Sequence, residues 1–172
     1  MAQKNATSRE FAEIVYASVT ESAANTLTFQ KMETGHGVLD KKAWIIHRLE
    51  FYLSATDINR LGAADDVISI ALTTSNLISS LDLSSAAVID VIEFNQLQAT
   101  AVGFTLFDKP WIRSFTDLPG GGRLVLPNPL YLAVKGTSLA AAVTAKVRIV
   151  FTAMDMETDD WLQIVEQTRL LT

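Results

Sequence analysis

The sequence contains no cysteine, and its only histidines are His36 and His47. The missing thiols exclude a disulfide framework, a thiolate metal site and a cysteine nucleophile. Neither histidine stands in the spacing of a catalytic triad, and a zinc site would need both of them together with carboxylates. We therefore predict a non-enzymatic chain with no catalytic residue, no bound metal and no cofactor. We expect His47 to be a structural histidine with a hydrogen-bond partner.

Clusters of basic residues are also missing. The chain carries 14 lysines and arginines against 19 acidic residues, which gives a net charge of −5, and the basic residues are scattered. A protein that binds nucleic acid needs a compact basic surface, because its affinity depends on the number of phosphates that it neutralises. We therefore expect no direct nucleic-acid binding.

Long hydrophobic runs are absent, although 49% of the residues are hydrophobic and only 19% are charged. The longest apolar stretch, 138–151, is interrupted by Lys146 and Arg148 and falls short of the roughly 20 residues that a membrane-spanning helix needs. The polar N-terminus predicts no secretory signal. Excess apolar surface in such a chain predicts burial between subunits, since monomers rarely expose large apolar patches. An apolar monomer rich in small residues is the alternative.

Familiar chemical motifs are incomplete. The glycine run 120–122 precedes a predicted strand and lacks the Lys-Ser/Thr of a phosphate-binding loop, so we expect a mobile surface loop. The alternating acids Asp155, Glu157 and Asp159 lack the glycine and the distal glutamate of a calcium loop, and helix capping explains them. A pair of carboxylates for glycoside hydrolysis depends on the fold, so it stays open. The loop and strand residues available for such a pair are Asp57, Asp65, Asp66 and Asp90.

The chain length of 172 residues predicts one domain. We divide it into an N-terminal segment 1–24, a β-sandwich 25–154 and a C-terminal helix 155–172. About eight short strands separated by turns predict an all-β fold, an antiparallel β-sandwich that is jelly-roll-like, with short terminal helices. The predicted strands cover residues 26–31, 43–54, 67–73, 87–97, 101–107, 123–126, 130–135 and 144–153.

The clearest strand is 43–54, in which two sets of side chains alternate. We predict that one set faces the core: Ile45, His47, Leu49, Phe51 and Leu53. The other set is amphipathic: Trp44, Ile46, Arg48, Glu50 and Tyr52. Because the apolar members of this second set need cover, we predict that Trp44, Ile46 and Tyr52 belong to an interface between subunits.

Helices are predicted at both ends of the chain. Thr7 and Glu10 match a capping box, and the spacing of Phe11, Ile14 and Val19 fits a helix, although it also fits a strand. At the other end, acidic residues precede an apolar stripe that includes Trp161 and Val165. We predict that these two residues complete the candidate interface.

Three stretches of sequence carry a resemblance to a known group of proteins. They are WIIHRLEFY (44–52), GRLVLPNPLYL (122–132) and VRIVF (147–151), the last of which is followed by the predicted acidic helix. In this order they resemble small virion proteins of tailless viruses of archaea and bacteria. In that group, single jelly-roll capsid proteins form an icosahedral shell, often over an internal membrane.

This resemblance implies a function as a self-assembling capsid subunit that is part of a virion shell. The expected partners are further copies of the chain and other virion proteins, with lipid lining the shell, and the expected location is the virion, assembled in the host cytoplasm. The alternative function is a non-catalytic β-sandwich that binds carbohydrate or a receptor, and a β-rich enzyme ranks third. Exposed aromatic residues in loops would favour the binding module, and titratable groups converging in a pocket would favour the enzyme.

Overall fold

The structure of the protein is a computed structural model that describes residues 11–37, 40–58, 61, 66–95 and 110–170, with side chains as far as residue 166. Within these ranges the elements are β1 (Glu13–Thr20), β2 (Thr28–Lys31), β3 (Lys42–Leu53), α1 (Ala55–Ile58), β4 (Val67–Thr73), β5 (Val88–Asn95), β6 (Trp111–Ser114), β7 (Arg123–Val125), β8 (Tyr131–Thr137), β9 (Thr144–Asp155) and α2 (Thr158–Leu170).

The strands form two antiparallel sheets that pack face to face. The five-stranded sheet has the order β1-β9-β3-β6, with β7 pairing on the same side of β3 as β6. The four-stranded sheet has the order β2-β8-β4-β5. The predicted all-β antiparallel sandwich is therefore confirmed.

Strand pairing follows a nested pattern. β1 pairs with β9, β2 with β8, β3 with β6 and β7, and β4 with β5, so the first half of the chain pairs with the second half in reverse order. Rolling this long hairpin brings β9 against β3 and β8 against β4. Nested pairing of this kind, closed into two sheets, is the jelly-roll-like arrangement.

The core between the sheets consists of the inward side chains of both. The alternation of the predicted strand 144–153 also predicts burial of Val147, Ile149 and Phe151, and these three are buried together with Leu49 and Phe51 of β3. Ile45, also predicted to be buried, is partly exposed. The predicted strand 101–107, with Val102, Phe104 and Leu106, lies outside the described residues.

A β-bulge in β3 overturns the predicted faces of that strand. Ile46 is opposite Phe151 and Arg48 is opposite Val150, so His47 is an extra residue in the ladder. Before this bulge, Trp44 and Ile46 point into the core with no exposed surface. Their prediction as interface residues is therefore wrong, because the bulge reverses which face each side chain takes.

Trp44 packs deep between the sheets. Its ring stacks on Phe151, with centroids 3.7 Å apart and planes 21° apart. His36 meets the edge of the same indole at a centroid distance of 6.1 Å. The large aromatic residue that the alternation places outside is therefore part of the centre of the core.

The N-terminal segment forms a strand, and the predicted helix there is wrong. β1 pairs with β9 over eight consecutive residues, from Glu13 opposite Phe151 to Thr20 opposite Thr144. This pairing buries Val19 in the core and packs Val15 against it. A helix over the same residues would leave the edge of β9 unpaired, so the tertiary ladder decides between the two readings.

The corner after β1 is fixed by a buried carboxylate. Glu21 accepts hydrogen bonds from the backbone N–H of Gly136 at 2.6 Å and from that of Val143 at 3.0 Å. A Cβ on Gly136 would lie 2.6 Å from the Leu139 side chain and 3.2 Å from the Glu21 oxygens, so the contact requires glycine. The C-terminal end of β1 is thereby held against the loop between β8 and β9.

The other elements agree with the sequence to different degrees. The strand 67–73 has both predicted ends, and the C-terminal helix is confirmed as α2. β6 was not predicted, because all four of its residues are exposed and show no alternation in burial.

Candidate functional site

The outer face of the four-stranded sheet is covered by the chain itself. Ala71, Val88 and Ala133 are buried there, beneath partly buried residues that include Ile78 and Leu81. The connection 74–87 between β4 and β5 supplies both of these covering side chains. This face therefore forms a second, smaller apolar cluster within one chain.

The outer face of the five-stranded sheet is open. Four apolar side chains on it, Ile14, Tyr16, Ile112 and Leu124, are between 48% and 68% exposed. Tyr16 is opposite Arg148, which is opposite Glu50, which is opposite Ile112, so one row of side chains crosses four strands. Apolar residues therefore flank a charged centre on this face.

An ionic network occupies that centre. Glu50 Oε1 lies 2.6 Å from Arg148 Nη2 and 2.8 Å from Arg48 Nε. Tyr52 donates its hydroxyl hydrogen bond to Glu50 Oε2 at 2.6 Å. The Glu50 side chain is only 2% exposed, although it lies on the outer face. Its neighbours therefore shield the carboxylate from water.

The network favours an ionised Glu50. Burial raises the pKa of this carboxyl, but the hydrogen bonds from Tyr52 and Arg148 and the charges of both arginines outweigh burial, so its pKa lies below the ordinary value. The hydrogen bond to Glu50 raises the pKa of Tyr52. Both carboxylate oxygens are occupied by donors. Through its contact with Arg148, Glu50 therefore ties β3 to β9.

A shallow depression lies beside this network, with a volume of about 540 Å³. Ala17, Leu53 and Val147 contribute apolar surface to it. Its polar lining consists of Tyr16, Ser18, Tyr52, Ser54 and Lys146. Hydroxyl groups, aromatic rings and one ammonium group therefore meet at the β1 side of the sheet.

His47 has the structural role that the sequence predicts. Its Nδ1 lies 2.8 Å from the Gly121 carbonyl oxygen and its Nε2 lies 2.7 Å from Thr152 Oγ1. A carbonyl only accepts, so Nδ1 carries the proton and Nε2 accepts from the threonine hydroxyl. Both ring nitrogens are thus used within the fold.

The glycine run is anchored to β3, in contrast to the expected mobile loop. Besides its bond to His47, the run packs so closely that a Cβ on Gly122 would lie 2.5 Å from Ile45 Cγ2 and 2.7 Å from the Ile46 carbonyl oxygen. Gly120 and Gly121 have φ angles of 87° and 74°, which favour glycine. The glycines therefore shape a tight connection between β6 and β7.

The three candidate aspartates that the structure describes lie in different parts of the fold. Asp57 is in α1, where its backbone N–H bonds to Ser54 Oγ. Asp90 lies on β5, and its Oδ2 is 3.5 Å from Arg113 Nε on β6. Burial raises the pKa of Asp90, only partly offset by the charge of Arg113. Asp66 is buried just before β4, and Asp65 lies outside the described residues. Within the described ranges, no group of three or more metal-ligating side chains is present.

The remaining predicted interface residues lie on two elements. Tyr52 is half-buried in the ionic network, and Trp161 and Val165 are half-buried on α2, where Leu162 is 47% exposed. Lys41 fixes the start of α2, since its Nζ donates to Thr158 Oγ1 at 2.7 Å. The open face residues Ile14, Tyr16 and Ile112 were missed. The alternation of residues 14–18 could have revealed Ile14 and Tyr16 if that segment had been read as a strand.

Comparison with known proteins finds no matching family model and no matching curated protein. Among the described helices, none has the length and apolar character needed to cross a membrane.

Proposed function

We propose that this chain is a self-assembling structural subunit that forms part of a virion shell. The observation that carries the proposal is the open outer face of the five-stranded sheet, where Ile14, Tyr16, Ile112 and Leu124 are about half exposed or more. On the outer face of the four-stranded sheet, by contrast, the connection 74–87 of the same chain covers the apolar residues. Apolar surface left open in such a protein fits burial by another subunit.

The jelly-roll-like strand order is compatible with this function but does not select it. Jelly rolls occur in viral capsid proteins, in lectins and in cupins. The space between the two sheets is filled by apolar side chains such as Phe51, Ile70 and Leu132 in the described part of the chain. A filled interior fits a structural subunit, because such a protein acts through contacts on its surface and not through a cavity that holds a ligand.

The charge pattern supports the same proposal. The net charge of −5 with scattered basic residues fits a shell whose inner side meets lipid or other virion proteins instead of packaged nucleic acid. Copies of this chain are the primary partners. α2 offers a second contact element, because Trp161, Leu162 and Val165 retain exposed surface on this helix, which follows β9.

Light scattering after size-exclusion chromatography, with electron microscopy across a concentration series, tests the proposal. We expect the protein to form closed or extended multimers. Replacing Ile112 and Leu124 together by serine should shift the distribution towards monomer. The matched control replaces Leu77 and Leu83, which are 84% and 58% exposed beside the closed face, by serine. A monomer at every concentration would contradict the proposal.

A truncation after Asp155 examines the contribution of α2. We expect its removal to reduce assembly or solubility, since the helix presents apolar side chains at the end of β9. Removing the first six residues should matter much less. Equal assembly by both truncated chains would show that α2 is not a contact element.

A carbohydrate- or receptor-binding module is the second candidate, and the depression on the same face favours it. Tyr16, Tyr52 and Lys146 provide rings and polar groups of the kind that hold a saccharide. Titration of the monomer with neutral and acidic oligosaccharides, followed by NMR, would show shifts in these residues. The variant Lys146→Ala should weaken such binding, while Lys135→Ala on the four-stranded sheet should not. Saccharide binding by a strictly monomeric protein would replace the shell proposal with this one.

A further inference from the structure

The open edges of the two sheets differ in how they are protected. An edge strand exposes unpaired N–H and C=O groups that can pair with another chain, and proteins protect such edges with short strands, charged residues, prolines or bulges. In the described residues, β1 and the β6–β7 pair bound the five-stranded sheet, while β2 and β5 bound the other sheet.

Three of these edges carry protection. β2 has four residues and ends in Lys31, and the β6–β7 edge is divided into strands of four and three residues. β5 carries Asp90 and Glu93, and its pairing with β4 contains a register shift. β1 is different, because it has eight residues in unbroken register, contains no lysine, arginine or proline, and has its only charge at Glu13.

The backbone of β1 shows which groups are available. Glu21 N–H donates to the Val143 carbonyl oxygen in the same register as the β1–β9 pairing. In an antiparallel ladder, alternate residues direct both backbone groups to the same neighbour, so the odd positions of β1 bond to β9. The even positions Ile14, Tyr16 and Ser18 direct their N–H and C=O groups to the open edge, and their side chains are exposed.

We infer that β1 pairs antiparallel with β1 of a second copy of this chain, about a two-fold axis at Tyr16. This inference rests on the proposed function and names the contact through which the subunits join. Tyr16 lies opposite the partner's Tyr16, Ile14 lies opposite the partner's Ser18, and Val15 lies opposite the partner's Ala17. The two five-stranded sheets then form one continuous sheet.

The orientation of the side chains and the positions of the charged residues favour this register. An axis placed between two residues would bring outer side chains opposite inner ones, so the axis must pass through a residue. An axis at Tyr16 or at Ala17 pairs seven residues of each β1 strand. The axis at Ala17 places Glu13 opposite the partner's Glu21, whereas the axis at Tyr16 places it opposite the partner's Val19. The second arrangement avoids two like charges facing each other.

The apolar residues of β1 also favour a second copy of the chain as the partner at this edge. Val15 and Ala17 are only partly buried where they pack at the β1 side of the core. Pairing brings the same two residues of the partner beside them, so both cores close at the shared edge. On the outer face, Ile14 and Tyr16, which are 52% and 68% exposed, gain the partner's side chains as cover.

Single cysteines test the inference, because the natural chain contains none. In a hydrogen-bonded antiparallel pair the two Cα atoms are about 5.5 Å apart, within the range of about 4.4–6.8 Å that a disulfide spans. Tyr16→Cys should therefore form a covalent dimer under mild oxidation. Ser18→Cys is the matched control on the same strand, since its two copies lie four positions apart, about 14 Å. Leu77→Cys, at a position 84% exposed in the connection beside the other sheet, is the control away from the open face.

A proline variant tests the same contact without oxidation. Ser18→Pro removes an N–H that points to the open edge and leaves the ladder with β9 intact, so the monomer should keep its β-sheet circular dichroism. We expect this variant to lose the multimers seen in light scattering, while Ser18→Ala keeps them.

The outcomes separate the two proposals. Multimers in which Tyr16→Cys crosslinks no faster than Leu77→Cys would overturn the β1 contact and leave the proposed function standing. Rapid crosslinking of Tyr16→Cys in a protein that never exceeds a dimer would support the β1 contact and contradict the shell. Multimers with crosslinking specific to Tyr16→Cys support both.

Discussion

The two outer faces of the sandwich both carry apolar side chains, but these side chains are covered on one face and exposed on the other. On the four-stranded sheet, small residues such as Ala71 and Ala133 leave room for Ile78 and Leu81 from the chain's own connection. On the five-stranded sheet, Tyr16, Glu50 and Ile112 stand in one row, in which Tyr16 and Ile112 are 68% and 55% exposed. The first face is covered by a segment of the same chain, whereas apolar side chains on the second face keep much of their exposed surface.

Both faces contain apolar side chains, so hydropathy alone does not distinguish them. The difference lies in what surrounds the apolar residues: small neighbours and a covering loop on one face, and an ion-paired carboxylate on the other. The ionic network constrains the geometry of this face, because Glu50 holds Arg48, Arg148 and Tyr52 in defined positions.

Loss of the central carboxylate should have the largest effect. Glu50→Ala leaves Arg48 and Arg148 without their anion and Tyr52 without its acceptor, so we expect the free energy of unfolding to fall by about 2–3 kcal/mol. The value is below the full cost of breaking a buried pair, since both arginines are partly exposed. Urea unfolding measures it. Glu93→Ala, the matched control on the other outer face, should change it by less than about 0.5 kcal/mol.

Opening the closed face should have the next largest effect. Ile78→Ser removes an apolar side chain that packs against the cluster of Ala71, Val88 and Ala133, and we expect it to lower the free energy of unfolding by about 1–2 kcal/mol. Leu77→Ser is the control at the neighbouring position, where the side chain is 84% exposed. If the two variants were equally stable in thermal unfolding, the connection 74–87 would not act as a cover.

Two carboxylates should respond to pH with opposite signs. The pKa of Glu50 is lowered in the folded state, so its contribution is present above the ordinary carboxyl pKa and is lost as the pH falls through the folded-state value. Glu50→Gln should therefore differ most from the natural protein at neutral pH. Burial raises the pKa of Asp90, so its contribution is present at low pH and is lost as the pH rises.

Asp90→Asn should accordingly gain stability relative to the natural protein as the pH rises from the acidic range to neutrality. Denaturant midpoints collected for both variants across this range provide the measurement. Curves that shift in the same direction for Glu50→Gln and Asp90→Asn would contradict the opposite electrostatic environments of the two groups.

The smallest effect on stability is expected at the rim of the open face. Ile112→Ser should change the free energy of unfolding of the monomer by less than about 0.5 kcal/mol, because the side chain is already 55% exposed. Its effect should appear in the association equilibrium instead. A large loss of monomer stability would mean that Ile112 supports the fold and not the contact.

Much of the fold is predictable from local alternation. The strand 67–73 has both ends as predicted, and β3 and β9 differ from their predicted bounds by at most two residues, because each has an apolar face with period two. The sequence did not identify β1 as a strand, since the spacing of Phe11, Ile14 and Val19 fits both a helix and a strand. Its state is decided by β9, which lies far along the chain.

The side-chain orientations in β3 and the candidate site could not be predicted as well from the sequence. A single extra residue at His47 reverses the orientation of Trp44 and Ile46, and alternation carries no information about such a bulge. Tyr52 was correctly placed on the second face because it follows the bulge. The distinction between an open and a closed outer face depends on where the connection 74–87 lies, which only the three-dimensional structure shows.

The nested strand pairing has a consequence for the biosynthesis of the protein. β4 and β5 are neighbours both in the chain and in the sheet, whereas β1 must wait for β9, which is synthesised much later. Pairings between distant segments form slowly, because the intervening chain must first lose its freedom. While synthesis proceeds, β1 therefore lacks its intramolecular partner. The β1–β9 ladder, and with it the ordered strand through which we infer that subunits join, forms only when β9 has been made. The inferred contact therefore depends on completion of the fold.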